Sequence, residues 1–188
     1  MTRLDQFVTQ ISGPIEQALY DGSADESELR AKQLDVIAKT AFNNLRAYSN
    51  CCRSTLWALQ THLELPAPAL LAASTTLAGG IVSTGETCGA VLGALIAIGY
   101  ALGSASIQDT ASHQAARAAA EEFVAQFTNR FGSTRCYEVQ KATVGWCSDN
   151  PSNRERWIAA EGPAACAAVC GDAARIAAEI LLVAVDGA

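Results

Sequence analysis

Seven cysteines stand at positions 51, 52, 88, 136, 147, 166 and 170, beside only two histidines and one methionine. Thiolates are soft ligands, so this set points to iron–sulfur or zinc chemistry, or to thiol redox chemistry without metal. The spacing narrows the field. No pair is Cys-x-x-Cys, which excludes a zinc ribbon, a thioredoxin-type site and the bacterial ferredoxin run. The odd count leaves at least one thiol unpaired, and seven cysteines in 188 residues are too sparse for a disulfide scaffold. The opening MTRLDQFVTQISG lacks the apolar core and cleavage site of a leader. The expectation is therefore a cytoplasmic, reducing setting, where cysteines point to metal or redox work. Hydrolytic, P-loop and dinucleotide motifs are absent. His62 and His113 read as boundary or surface residues, and Glu121-Glu122 as a solvated helix face.

Three cysteines fall near predicted helix starts. Cys88 follows Gly85-Glu86, Cys136 follows Gly132-Ser133-Thr134, and Cys166 follows Gly162-Pro163. A helix N-terminus offers unpaired N–H groups and partial positive charge. Both favour thiolate over thiol and would stabilise an anionic metal–thiolate cluster. The plain alternative is cysteine as a small hydrophobe in an alanine-rich core.

The elements that must position these thiols are helical. Half the residues are apolar but only 6% are aromatic, and alanine and glycine carry much of the apolar share. A short amphipathic helix is predicted over 3–20, with Leu4, Phe7, Ile11 and Ile15 on one face. A long helix follows over 25–63, with the stripe Leu34, Ala38, Ala41, Leu45, Tyr48, Cys52, Thr55 and Leu59. A shorter one spans 67–78. Ser83 and Glu86 have capping-box spacing, which starts a helix at Glu86 that runs to about Ala101. That helix is apolar all round and so central, and Gly89, Gly93 and Ala97 form a small ridge where another backbone comes close. Further helices are predicted over 109–130, around Cys136, and from Gly162-Pro163 to about Val185, with Ile176, Ile180 and Val183 as the last helix's core face. A loop over 143–153 and a second capping box, Ser152 to Glu155, lie between the last two. The fold class is all-α, a single-domain helical bundle over 1–188 with a buried central Gly/Ala-rich helix.

Other classes fall away. The net charge of −6 provides no basic stripe for nucleic acid. The uncharged stretches 65–85 and 87–108 raise the question of a membrane hairpin. Pro66, Pro68, Gly79 and Gly80 break the first, and the dense apolar part of the second runs only from Ala90 to Gly103, the length of a core helix. The small-residue ridge suits a homodimer interface as well as packing within one chain.

The chain resembles the C_GCAxxG_C_C family of proteins regarded as redox-active. The resemblance rests on Asn50-Cys51, on Gly85-Glu86-Thr87-Cys88-Gly89-Ala90-Val91-Leu92-Gly93-Ala94 with its apolar tail to Gly103, on Phe131 to Cys136, and on Cys166 with the alanine-rich helix behind it. It spans about residues 32–183 with the segments in order. The core here reads Cys-Gly-Ala-x-x-Gly, with Thr87 before the cysteine and Gly89 after it. A related helical module occurs in the split-Soret cytochromes, where an iron–sulfur cluster is implied. Carried over by position, the family cysteines are Cys51, Cys88, Cys136 and Cys166, which the resemblance makes cofactor and metal ligands. Gly89 and Gly93 would bring the backbone close beside them. Cys52, about 100° from Cys51 around the helix, and Cys170, one turn beyond Cys166, are substitutes. Cys147 is a bystander or a partner for Cys136.

The leading expectation is a helical redox protein whose four cysteines hold an iron–sulfur cluster for electron transfer with a redox partner protein. The alternatives are metal-free thiol/disulfide chemistry and a structural helical module with a four-cysteine zinc site.

Overall fold

The structure, a computed structural model, describes residues 25–186. The helix expected over 3–20 lies outside the described residues. Eight α-helices and one 3₁₀ turn follow, and the only β-pairing among the described residues is an isolated bridge between Thr87 and Arg135.

Helix α1 (Glu26–Tyr48) starts at Asp25, whose carboxylate accepts the Ser27 N–H at 3.1 Å. The single long helix expected over 25–63 is in fact two. Ser49 turns left-handed at φ 53°, and Asn50 caps a new helix, α2 (Cys51–His62). The continuous apolar stripe conceals this break because both halves bury their faces in one core. Tyr48, on the stripe in sequence, is 70% exposed at the corner. Helix α3 (Pro68–Ala73) and the 3₁₀ turn Ser74–Leu77 occupy the segment predicted for a short helix. Helix α4 spans Gly89–Leu102, and α5 spans Thr110–Phe131 between the Asp109 cap and left-handed Gly132. Then come α6 (Cys136–Val144), α7 (Pro151–Ala159) and α8 (Gly162–Asp186). The cap of α7 is Asn150, which accepts the Asn153 N–H, so the Ser152–Glu155 box is not used.

The bundle is built around α4 and α8. Helix α8 packs chiefly on α1, and α4 packs on α2, α5 and α8. Ala90, Val91, Ala94, Ala97 and Ile98 of α4 are buried, while Leu95, Ile96 and Tyr100 on its remaining side are half-buried. Gly93 explains how α4 lies so close to α2: a Cβ there would fall 2.4 Å from the Cys52 carbonyl oxygen. Phe123 and Phe127 of α5 are fully buried, with ring centroids 5.9 Å apart. Ile176 and Ile180 face the core as expected, but Val183 is 65% exposed near the end of α8. No helix among the described residues is long and apolar enough to cross a membrane.

His62 ends α2 with Nε2 2.8 Å from the Thr40 hydroxyl. Partial burial pulls its pKa below the ordinary imidazole value of 6.5. The unfolded chain therefore takes up the proton first. The stabilisation from neutral His62 is complete above about pH 6.5 and is lost as pH falls through the folded value. His62→Gln should flatten the acid-side loss of stability between pH 7 and 5. Urea unfolding of both proteins at the two pH values measures it, and an unaltered pH dependence would count against this role.

Candidate functional site

Cys51 is the first residue of α2. Its position is set by Asn50, which accepts the Arg53 N–H at 3.1 Å and donates to the Thr75 carbonyl at 2.9 Å. This ties the start of α2 to the 3₁₀ turn. Gly89 leaves room for the sulfur, since a Cβ there would lie 2.3 Å from Cys51 Sγ. Cys52 is directed elsewhere. It is fully buried in the core and does not line the cavity that Cys51 faces. Between the two thiols left open by the sequence, Cys51 is the one at the cavity.

Cys88 and Cys136 are clasped together by backbone. The Thr87–Arg135 bridge joins their preceding residues. Cys88 N–H donates to the Thr134 carbonyl at 2.8 Å, and Cys136 N–H donates to the Glu86 carbonyl at 2.6 Å. The Ser83–Glu86 capping box does not form. Residues 79–83 instead make a left-handed turn, with Ile81, Val82 and Ser83 at φ 62°, 45° and 63°. Helix α4 accordingly begins later, and Cys88 is its N-cap residue. Gly80 presses against Cys136, where a Cβ would come within 2.7 Å of that side chain's own Cβ. Cys136 is the first residue of α6, and Gln140, one turn on and buried, donates to its sulfur at 3.6 Å.

Cys166 and Cys170 lie one turn apart on α8. Both line the same cavity of about 340 Å³ as Cys51, Cys88 and Cys136. Five of the seven cysteines thus converge from α2, α4, α6 and α8. The Cys170 thiol donates to the Cys51 carbonyl at 3.8 Å. Cys147 is buried in the α6–α7 loop and is not among the cavity residues. The residue after it, Ser148, donates its N–H to the Gln140 side-chain oxygen at 2.7 Å. All seven cysteines are free thiols.

The expectation of acidic thiols at helix starts is overturned. Burial, followed by the neighbouring Cys51 sulfur, pushes Cys88 up to about 12, although the N–H groups of Ala90 and Val91 pull the other way. Burial also raises Cys166 to about 12, with Cys88 and Cys51 adding to it. Cys136 and Cys170 are raised by burial and then by the other sulfurs. The N–H groups at a helix start do not offset removal from water and mutual repulsion. Without a cation among them these groups stay protonated at neutral pH, which weakens the low-pKa thiol reading. A bound metal reverses the balance, because it draws the protons off its ligands.

The donor set is all thiol and soft, with no histidine or carboxylate among the residues that line the cavity. The sulfurs ring the cavity and do not meet at one point. Among the described residues, no three Cys, His, Asp or Glu side chains are close enough to hold one metal ion. Helix α7 also lines the cavity, through Ile158 and through two side chains with polar tips, Arg154 and Trp157. Neither carries a sequence signal, and neither does the role of Gln140, whose only mark in the sequence is its place one helical turn after Cys136.

No curated protein and no solved structure matches this chain. A family profile does, over residues 49–180, a narrower span than the 32–183 read from the sequence; its description is "Putative redox-active protein (C_GCAxxG_C_C)". The matched residues contain all five cavity cysteines and the segments that bring them together. The chain belongs to the C_GCAxxG_C_C family.

Proposed function

We propose that the protein binds an iron–sulfur cluster through Cys51, Cys88, Cys136 and Cys166 and serves in electron transfer. The observation that carries this reading is the convergence of thiols from four helices on one cavity. A single zinc ion needs sulfurs about 2.3 Å from one centre, and among the described residues no three Cys, His, Asp or Glu side chains gather so closely. A cluster spreads its thiolates over separate irons, which suits thiols arranged around a cavity. When bound, the cluster supplies one-electron chemistry. The chain's own part is to orient the sulfurs, through the Thr87–Arg135 clasp, the Asn50 cap and the Gln140 side chain, and to shield them from water.

Cys170 is the fifth thiol, and its S–H bond to the Cys51 carbonyl supports a protonated neighbour and not a ligand. Anaerobic reconstitution with ferrous iron and sulfide is the test. The expected product is brown, contains iron and acid-labile sulfide in similar amounts, and is bleached by dithionite. Cys170→Ala should load like the wild type. A colourless protein that takes up one equivalent of zinc and no sulfide would overturn the cluster reading. A loaded wild type with an empty Cys170→Ala variant would instead place Cys170 among the ligands.

A further inference from the structure

The cavity has one wall that the thiols do not build. Helix α7 contributes no fully buried residue and packs on α8, yet it sends Trp157 and Arg154 to the cavity. The Trp157 ring is fixed in place by Gly162, where a Cβ would fall 2.1 Å from the ring. Its Nε1 atom is buried and has no hydrogen-bond partner. An indole N–H is only a donor, and leaving it unpaired out of water is costly. Arg154 forms no ion pair with any described carboxylate, and no Asp or Glu lines the cavity. A donor without an acceptor and a cation without an anion thus share one wall. The same cavity is lined by sulfurs that become anionic when they ligate metal.

We infer that Trp157 and Arg154 complete the site from α7, the indole N–H as hydrogen-bond donor and the guanidinium as positive charge toward the anionic iron–sulfur–thiolate centre. This rests on the cluster reading above. They are positioning residues that set how readily the centre accepts an electron. One-electron reduction adds one negative charge, and a donor or a cation stabilises the reduced form more than the oxidised form. Both residues therefore raise the reduction potential. No bond breaks and no proton moves; the electron comes from the external reductant.

The test is a redox titration of reconstituted protein with dithionite, followed by visible absorption. Trp157→Phe keeps an aromatic ring but removes the pyrrole half of the indole together with its N–H. It should load the same iron and sulfide, while its reduced-to-oxidised ratio at the wild-type midpoint falls about tenfold, a downward shift of about 59 mV for a one-electron couple. Arg154→Gln, an exposed position, should shift the potential in the same direction. If the wild type loads and neither variant moves the midpoint, this inference fails and the cluster reading stands. If Trp157→Phe loses its cluster, the Arg154→Gln titration decides, and an unmoved midpoint there overturns the inference. If the wild type takes up no iron and sulfide, both fall together.

Discussion

Cys88→Ser is expected to produce a folded, helical protein that no longer holds the cluster. The fold should survive for a local reason. Cys88 is the N-cap of α4, and serine is among the favoured residues at that position, so the start of the helix loses nothing. Its backbone bond to the Thr134 carbonyl does not involve the side chain. The site should not survive, because a hydroxyl is a hard and weakly acidic ligand where iron–sulfur chemistry calls for thiolate. Changing residues that merely orient a metal ligand costs about 10–100-fold in affinity, and removing a ligand costs at least as much. Iron and sulfide bound after reconstitution should therefore drop at least tenfold, with the far-ultraviolet circular dichroism unchanged. Full loading would remove Cys88 from the ligand set, and a collapse of helicity would assign it to structure alone.

The two ridge glycines should respond differently to alanine. At Gly93 a Cβ would lie 2.4 Å from the Cys52 carbonyl oxygen and 3.1 Å from the Leu56 nitrogen, both backbone atoms of α2. Alanine gains about 1 kcal/mol in helix propensity. Overpacking costs about 1–3 kcal/mol or more, and backbone on both sides leaves little room to relax. The clash wins, so Gly93→Ala should lower the melting temperature by several degrees, at about 2–4 °C per kcal/mol for a chain of this size. At Gly89 the nearest atom is Cys51 Sγ, the movable end of a side chain. It can swing aside, but only by leaving its place at the cavity. Gly89→Ala should therefore lose more cluster than stability. Thermal melts and iron analysis of the two variants, read side by side, check this; equal effects on both measures would show that the ridge serves packing only.

What could be read from the chain follows from how local the signals are. Helix α5 was legible because Asp109 and Gly132 mark its ends by short-range hydrogen bonding and conformational preference. Helix α8 was legible from Gly162-Pro163 and its apolar period. The corner at Ser49-Asn50 was hidden, since neither residue interrupts the apolar pattern. The start of α4 was misplaced because the pairing of Thr87 with Arg135 joins residues far apart in sequence. The same distance explains the site. Cys51, Cys88, Cys136 and Cys166 were named through resemblance, and the structure places all four at one cavity. The choice between Cys51 and Cys52 needed the packing of α2 on α4. The height of the thiol pKa values was misjudged because burial is a tertiary property, while helix-end dipoles can be read locally.

The left-handed turn over residues 79–83 bears on how the sulfur site is held together. Each non-glycine residue in that conformation costs about 1–2 kcal/mol, and here Ile81, Val82 and Ser83 follow one another. Such a conformation needs compensating contacts. It is held by contacts made across it, including Gly85 N–H to the Gly79 carbonyl and the Thr84 hydroxyl to the Gly80 carbonyl, and by Tyr137 reaching back to Ser83. The first two lie within the loop, and the Tyr137 contact comes to it from α6. The shape of the loop and the meeting of Cys88 with Cys136 are thus linked, because the residues that leave the turn, 85–88, are the ones that pair with 134–137.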